Sequence, residues 1–354
     1  MAKTIQIGGE HFYPLSIFFR RDNFNLPKYL AQNYSQRQYL SGGAYFSILA
    51  ILKTVKFFKN EIVLLPSFLC PSILKPLKKM GIKYKFYKIN KKLQIDIVDL
   101  KARINENVKA VFYINYFGFP PKQDILAELR NFQQEGILLI EDCAQCLFPT
   151  QDNFSDFCFN SFRKFLPLDG SILISKVKLE IDNSLHISQY FLLRHFARFL
   201  RFLNTKIPLE FSKIFLTLII KSDQIYYSSE NSSFNKFNRT ILAKFSFESI
   251  KANRRIFFHE IVNILKDKCI YNTLGDDTIP LGVPIIINAR DDVRKQLIDK
   301  NIFCPIHWKL SKEIDKKEFA ESWELSEQIL TIPIRENFSK IEMQYLINNL
   351  KEIT

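Results

Sequence analysis

The stretch IEDCAQC, residues 140–146, sets Asp142, Cys143, Gln145 and Cys146 within five positions. Two sulfurs in a C-x-x-C spacing suit half of a structural zinc site, a redox dithiol, or a pair of small core residues. No second pair at matching spacing occurs, which removes the zinc reading and leaves no metal site in the sequence. A redox dithiol requires the motif to open a helix straight after a strand, a context the local pattern leaves open. Downstream, DFCFNSFRKFLPLDGSILIS (156–175) holds Ser161, Arg163 and Lys164 in a short polar turn between two strand-like pieces, followed by Asp169-Gly170.

The elements that must position these groups are legible from residue 41 onward. GAYFSILAILKTVKFF (43–58) has apolar residues at helical spacing, and EIVLLP (61–66) is a short buried strand. PSILKPLKKMG (71–81) opens with proline and stops on glycine, as a helix does. IKYKFYKI (82–89) alternates as a strand, IDIVDLKARI (95–104) is a helix, and VKAVFYINYFG (108–118) is a strand. KQDILAELRNFQQEG (122–136) is a further helix, and ILLIED (137–142) is a buried strand ending at Asp142. Strand and helix at this rhythm predict an α/β fold with a mostly parallel sheet covered on both faces. Ligands bind such sheets at the carboxyl ends of the strands.

Beyond residue 176 the pattern is helical: 188–203 and 208–221, then a polar stretch at 228–239 and a long helix near 240–267. A strand at 282–288, a helix at 290–301 and a final helix from 339 complete the chain. The expected organisation is an N-terminal segment (1–40), a large domain (41–227) with a helical insertion near 185–222, and a small C-terminal domain (228–354).

An apolar fraction of 47% and 24% charged residues are those of a globular chain rather than a disordered one. The net charge of +14 is dispersed, without a basic arm or zinc-finger spacing, so nucleic acid is not an expected partner. Such a surface suits anionic substrates. The N-terminus lacks the apolar core of a signal peptide, and no apolar run approaches the roughly 18 residues of a membrane span. With six cysteines read as reduced thiols, the expectation is a cytoplasmic protein.

IEDCAQ followed by the 156–175 stretch resembles the DegT/DnrJ/EryC1/StrS family of pyridoxal-phosphate-dependent sugar aminotransferases. SGGAYFSILAIL, LLPSFLCPSILKPLKKMGIKYKFYKIN, VFYINYFGFPP, NIFCPIHW and SEQILTIPIRENFS resemble further segments of that family, in its order. The resemblance implies the aspartate-aminotransferase-like fold (PLP fold type I), a smaller C-terminal α/β domain, pyridoxal 5'-phosphate as cofactor, and a homodimer. By position, Asp142 keeps the pyridine nitrogen protonated, Gln145 contacts the ring, and Lys164 binds the cofactor covalently and shuttles protons. Such a lysine works best with a lowered pKa, which burial and a neighbouring cation such as Arg163 favour. Ser161 and the backbone of Gly43 and Ala44 meet the phosphate, the latter from a helix start. His307 and Trp308 line the substrate pocket. On this reading Cys143 and Cys146 are small buried residues beneath the cofactor.

The chain departs from the family where Gly43 replaces a threonine, Ser171 replaces a glycine, and the ring-covering aromatic falls at Phe68 or Cys70. Asn238 is a weak match to an asparagine given to the partner's phosphate. HFARFLRFL (195–203) is basic and amphipathic, suited to an interface or to peripheral contact with an anionic membrane. The expected reaction moves an amino group from an amino acid, glutamate, to a nucleotide-linked keto-sugar for surface polysaccharide. The alternatives are an enzyme with the same cofactor and fold that acts on a non-sugar substrate or dehydrates a deoxysugar, and a decayed, non-catalytic binding or regulatory subunit.

Overall fold

The computed structural model describes residues 5–9, 11, 24–150, 154–179, 189–204, 211–230, 234–335 and 338–352. From the N-terminus come β1 (Ile7–Gly8), α1 (Leu26–Asn33), β2 (Arg37–Ser41) and α2 (Ala44–Val55). An alternating run follows: β3 (Ile62–Pro66), α3 (Leu74–Lys79), β4 (Lys83–Tyr87), α4 (Ile97–Arg103), β5 (Val108–Ile114), α5 (Gln123–Gln134) and β6 (Leu138–Cys143). Next are β7 (Phe157–Asn160), β8 (Ser171–Ser175), α6 (Gln189–Asn204), α7 (Ser212–Ser228), α8 (Lys236–Leu242) and α9 (Phe247–Leu265). The chain closes with β9 (Gly282–Ile286), α10 (Arg290–Asp299), β10 (Ile302–Phe303), α11 (Ala320–Gln328), β11 (Ile329–Pro333) and α12 (Lys340–Glu352).

Two compact units form, each discontinuous in sequence. The first comprises Met1–Gly9, Phe57–Cys146 and Phe247–Thr354; the second comprises Glu10–Lys56 and Leu147–Ser246. In the first unit β4, β3, β5 and β6 lie side by side in that order, all parallel. β3 is buried along its whole length, as expected of a strand covered on both faces. The chain steps outward from β3 to β4, then returns to β5 on the other side. That reversal puts the topological switch point between the carboxyl ends of β3 and β5. Gly81 and Gly136, at φ +66° and +91°, end α3 and α5 in the left-handed region that favours glycine. An antiparallel pair, β9 and β11, and a short parallel pair, β1 and β10, complete this unit's strands among the described residues.

In the second unit β2, β8 and β7 are antiparallel, with Ser41 opposite Ser171. α2 lies against this sheet and buries eight consecutive residues, Tyr45 to Leu52. α6 and α7 form a helical hairpin that starts close to the expected insertion. The outward side of α6 is apolar (Leu192, Phe196, Phe199), while Arg194 and Arg198 are buried. The arginines that gave the helix its basic stripe therefore face inward. The single helix expected near 240–267 is two, because α8 ends at Leu242 and α9 starts at Phe247.

Candidate active site

The candidate residues divide between the units. In the first, β6 delivers Asp142 to the carboxyl end of the parallel strands, 4% exposed. Its Oδ1 accepts from the Ala144 N–H at 2.7 Å, and its carbonyl accepts from Asn115 N–H at 3.0 Å. Gln145 is 2% exposed, and its Oε1 accepts from the Phe117 N–H at 2.7 Å. Among the described residues the Nε2 of Gln145 is buried without a hydrogen-bond partner, an amide donor held in place by its oxygen's bond to Phe117. A buried carboxylate and an oriented, unspent amide three residues apart fit the ring of the expected cofactor.

The switch point is bridged by the Tyr116 hydroxyl, which donates to the Phe68 carbonyl. Phe68 is fully buried, its ring 5.9 Å from that of Tyr116 and 5.6 Å from that of Trp308. Cys70 instead turns its sulfur to Ser72 at 3.0 Å. His307 packs edge-on to Phe117 at 5.6 Å and pairs with the Thr331 hydroxyl at 2.9 Å. His307 and Trp308 thus join the aromatic group around the switch point, though both are mostly buried. None of the six cysteines is in a disulfide. A hydrogen bond to Cys143 and burial push the Cys146 thiol well above its ordinary pKa, so it is protonated at neutral pH.

In the second unit Ser161 precedes a short turn, Phe162–Lys164, whose entry it flanks without a side-chain cap bond. Phe162 N–H donates to the Gly170 carbonyl at 3.0 Å, closing the loop that carries Lys164. Lys164 is half-buried, and its carbonyl is 3.3 Å from Nε2 of His11. Asp169, 2% exposed, anchors the far end of this loop by ion pairs to Arg198 (3.0 Å) and Arg194 (4.0 Å). Burial alone would raise its carboxyl pKa, but Arg198, Arg194 and Arg163 hold it down at about 2. Asn238 donates from Nδ2 to the Asp169 carbonyl of its own chain at 2.7 Å.

Gly43 caps α2 with no side-chain hydrogen bond, leaving the helix's first N–H groups for an anion. A chain of hydroxyls supports this turn. Ser41 bonds the Gly43 carbonyl (3.0 Å) and Ser47 (2.8 Å), and Ser47 donates to Ser171 (2.9 Å). All three serines are buried. Ser171, read from the sequence only as a departure, is thereby part of the scaffold under the turn. The arginines of α6 were also missed as anchors of the lysine loop; their signal was present, because Asp169 needed a buried cation.

Residues 43–162 match the DegT/DnrJ/EryC1/StrS aminotransferase family. The matched segment spans about a third of the chain. It contains Asp142, Gln145 and Ser161 and stops just short of Lys164. A putative sugar aminotransferase from Streptococcus pneumoniae, in its PLP form, superposes with TM-score 0.69 at 12% identity, over 98% of this chain and 93% of that one. An aminotransferase of the same family from Brucella abortus gives 0.64 at 16% identity, over 92% and 88%. The fold is therefore the type I fold of pyridoxal-phosphate enzymes, as expected. A GDP-4-keto-6-deoxy-D-mannose 3-dehydratase from Yersinia pseudotuberculosis is 31% identical over 91 residues, 25% of this chain. That alignment spans 23% of the relative's length. Among the described residues, no helix is long and apolar enough to cross a membrane.

Proposed function

We propose that the chain is a pyridoxal-phosphate-dependent aminotransferase that moves an amino group from glutamate to a nucleotide-linked keto-sugar, as a homodimer. When bound, the cofactor supplies an electron sink for the carbon that gains or loses the amine. Asp142 holds a proton on the pyridine nitrogen, and Gln145 orients the ring through Nε2. Lys164, on a loop braced by Asp169, would hold the cofactor and serve as the proton carrier. Gly43, Ala44 and Ser161 take the phosphate. The surplus of basic residues suits an acceptor that carries a diphosphate. Its product would feed a surface polysaccharide.

The observation that carries this reading is the buried Nε2 of Gln145, unpartnered among the described residues, close in sequence to the buried carboxylate of Asp142. The test is the visible spectrum of the purified protein with pyridoxal phosphate, wild type against Lys164→Ala. The wild type gains a yellow band that glutamate bleaches, and the variant does not. A wild type without any such band sinks the reading. The 91-residue likeness to a keto-deoxysugar dehydratase favours a second reading, dehydration on the same cofactor. Incubation with a GDP-keto-deoxysugar separates the two: an amino-sugar product supports the first, loss of the C3 hydroxyl the second.

A further inference from the structure

The start of α2 carries one more polar group than the sequence motif supplies. Tyr226, from α7 of the hairpin, is 3% exposed, and its hydroxyl points at Gly43. A Cβ added to Gly43 would lie 2.2 Å from the Tyr226 Oη. The hydroxyl therefore fills the space that a side chain at position 43 would take. Gly43 also sits at φ +155°, which adds a second reason for glycine there.

The ring is fixed on several sides. It meets Phe46 edge-on at 4.9 Å, Tyr190 at 5.1 Å and Tyr227 at 5.1 Å. The Arg163 guanidinium lies 5.8 Å from its centroid. The neighbouring tyrosines place their own hydroxyls on protein: Tyr45 donates to the Tyr227 carbonyl (2.9 Å), and Tyr190 to the Gly42 carbonyl (3.4 Å). Tyr226 alone of these three turns its hydroxyl to the uncapped helix start and has no hydrogen bond among the described residues. Burial keeps this phenol protonated, well above its ordinary pKa, and so a donor. Donor, helix N-terminus and the Arg163 cation converge on one kind of ligand, a phosphate-class anion.

We propose that Tyr226 is an anion-binding residue whose hydroxyl donates to the phosphate received at the Gly43–Ala44 turn. This rests on the cofactor reading above for the source of the phosphate. The hairpin thus reaches the binding site, and Tyr226 supplies from another part of the chain a hydroxyl that position 43 cannot.

The test compares wild type with Tyr226→Phe, which keeps the ring and its packing. Two ligands, pyridoxal phosphate and phosphate-free pyridoxal, are titrated by absorbance, and inorganic phosphate is followed by thermal shift. A lost hydrogen bond to a charged group weakens pyridoxal phosphate by about ten-fold or more. Pyridoxal affinity stays unchanged, and stabilisation by phosphate is lost in the variant. Equal affinity of both proteins for pyridoxal phosphate overturns the proposal, as does an equal loss for both pyridoxal forms, which marks a merely structural role. If the wild type takes up no pyridoxal phosphate, the aminotransferase reading fails, and the phosphate arm decides alone. Stabilisation present in wild type and absent from Tyr226→Phe still supports Tyr226; the same shift in both, or none in either, overturns it.

Discussion

Replacing Asp169 by asparagine keeps the shape of the side chain and removes its charge from between Arg194 and Arg198, both almost fully buried. Removing one partner of a buried pair costs about 3–5 kcal/mol, and the loss here falls on Arg198 more than on Arg194, which keeps its ion pair to Asp223. The pH dependence gives a second handle. A carboxyl held at about 2 instead of its ordinary 3.8 contributes roughly 2.4 kcal/mol at neutral pH. Its folded pKa is depressed, so this contribution is complete above the unfolded value and fades as pH falls towards the folded one. At pH 3 the same two values leave roughly 1.3 kcal/mol. Urea unfolding of wild type and Asp169→Asn at pH 7 and pH 3 should therefore show a gap of a few kcal/mol that narrows by about 1 kcal/mol in acid. A gap below about 1 kcal/mol at pH 7, or one unchanged at pH 3, refutes the buried ion-pair account.

Gln145→Ala leaves the Phe117 N–H without its acceptor and should destabilise the fold by about 1–3 kcal/mol, read from the urea midpoint. An unchanged midpoint contradicts the assigned bond. Gly43→Ala forces a Cβ against the Tyr226 hydroxyl and should cost about 1–3 kcal/mol. That cost should shrink when Tyr226→Phe is added; strict additivity of the two would argue against the contact. Burial and the adjacent Arg198 hold the His195 imidazole at about 3, neutral in the folded protein. Its ring signals should show no titration between pH 8 and pH 5 by NMR, and this group should erode stability as pH falls below its unfolded value near 6.5.

The alternation from β3 to β6 was legible because parallel strands covered on both faces read as apolar runs, and Gly81 and Gly136 punctuate the helices between them. β2 was not read. Its sequence, RQYLS, has no alternating pattern, and its partner β8 lies more than a hundred residues away in an antiparallel pairing. β11, ILTIP, was absorbed into a motif rather than seen as the partner of β9. The break between α8 and α9 escaped notice because AKFS (243–246) carries neither glycine nor proline. Of the candidate site, Asp142 and Lys164 came from local motifs. The meeting of Tyr226 with Gly43 did not, because it depends on how a helical hairpin folds back, and no periodicity encodes that.

The pairing of β1 with β10 places Ile7 opposite Ile302, 302 − 7 = 295 residues apart in sequence. At roughly 5–20 residues per second, a ribosome makes the second of these strands about 15–60 s after the first. The N-terminal strand must wait unpaired through that interval while α2 and the second unit's strands are already complete. The β1–β10 pair can therefore form only once Phe303 has been made, long after β1 itself.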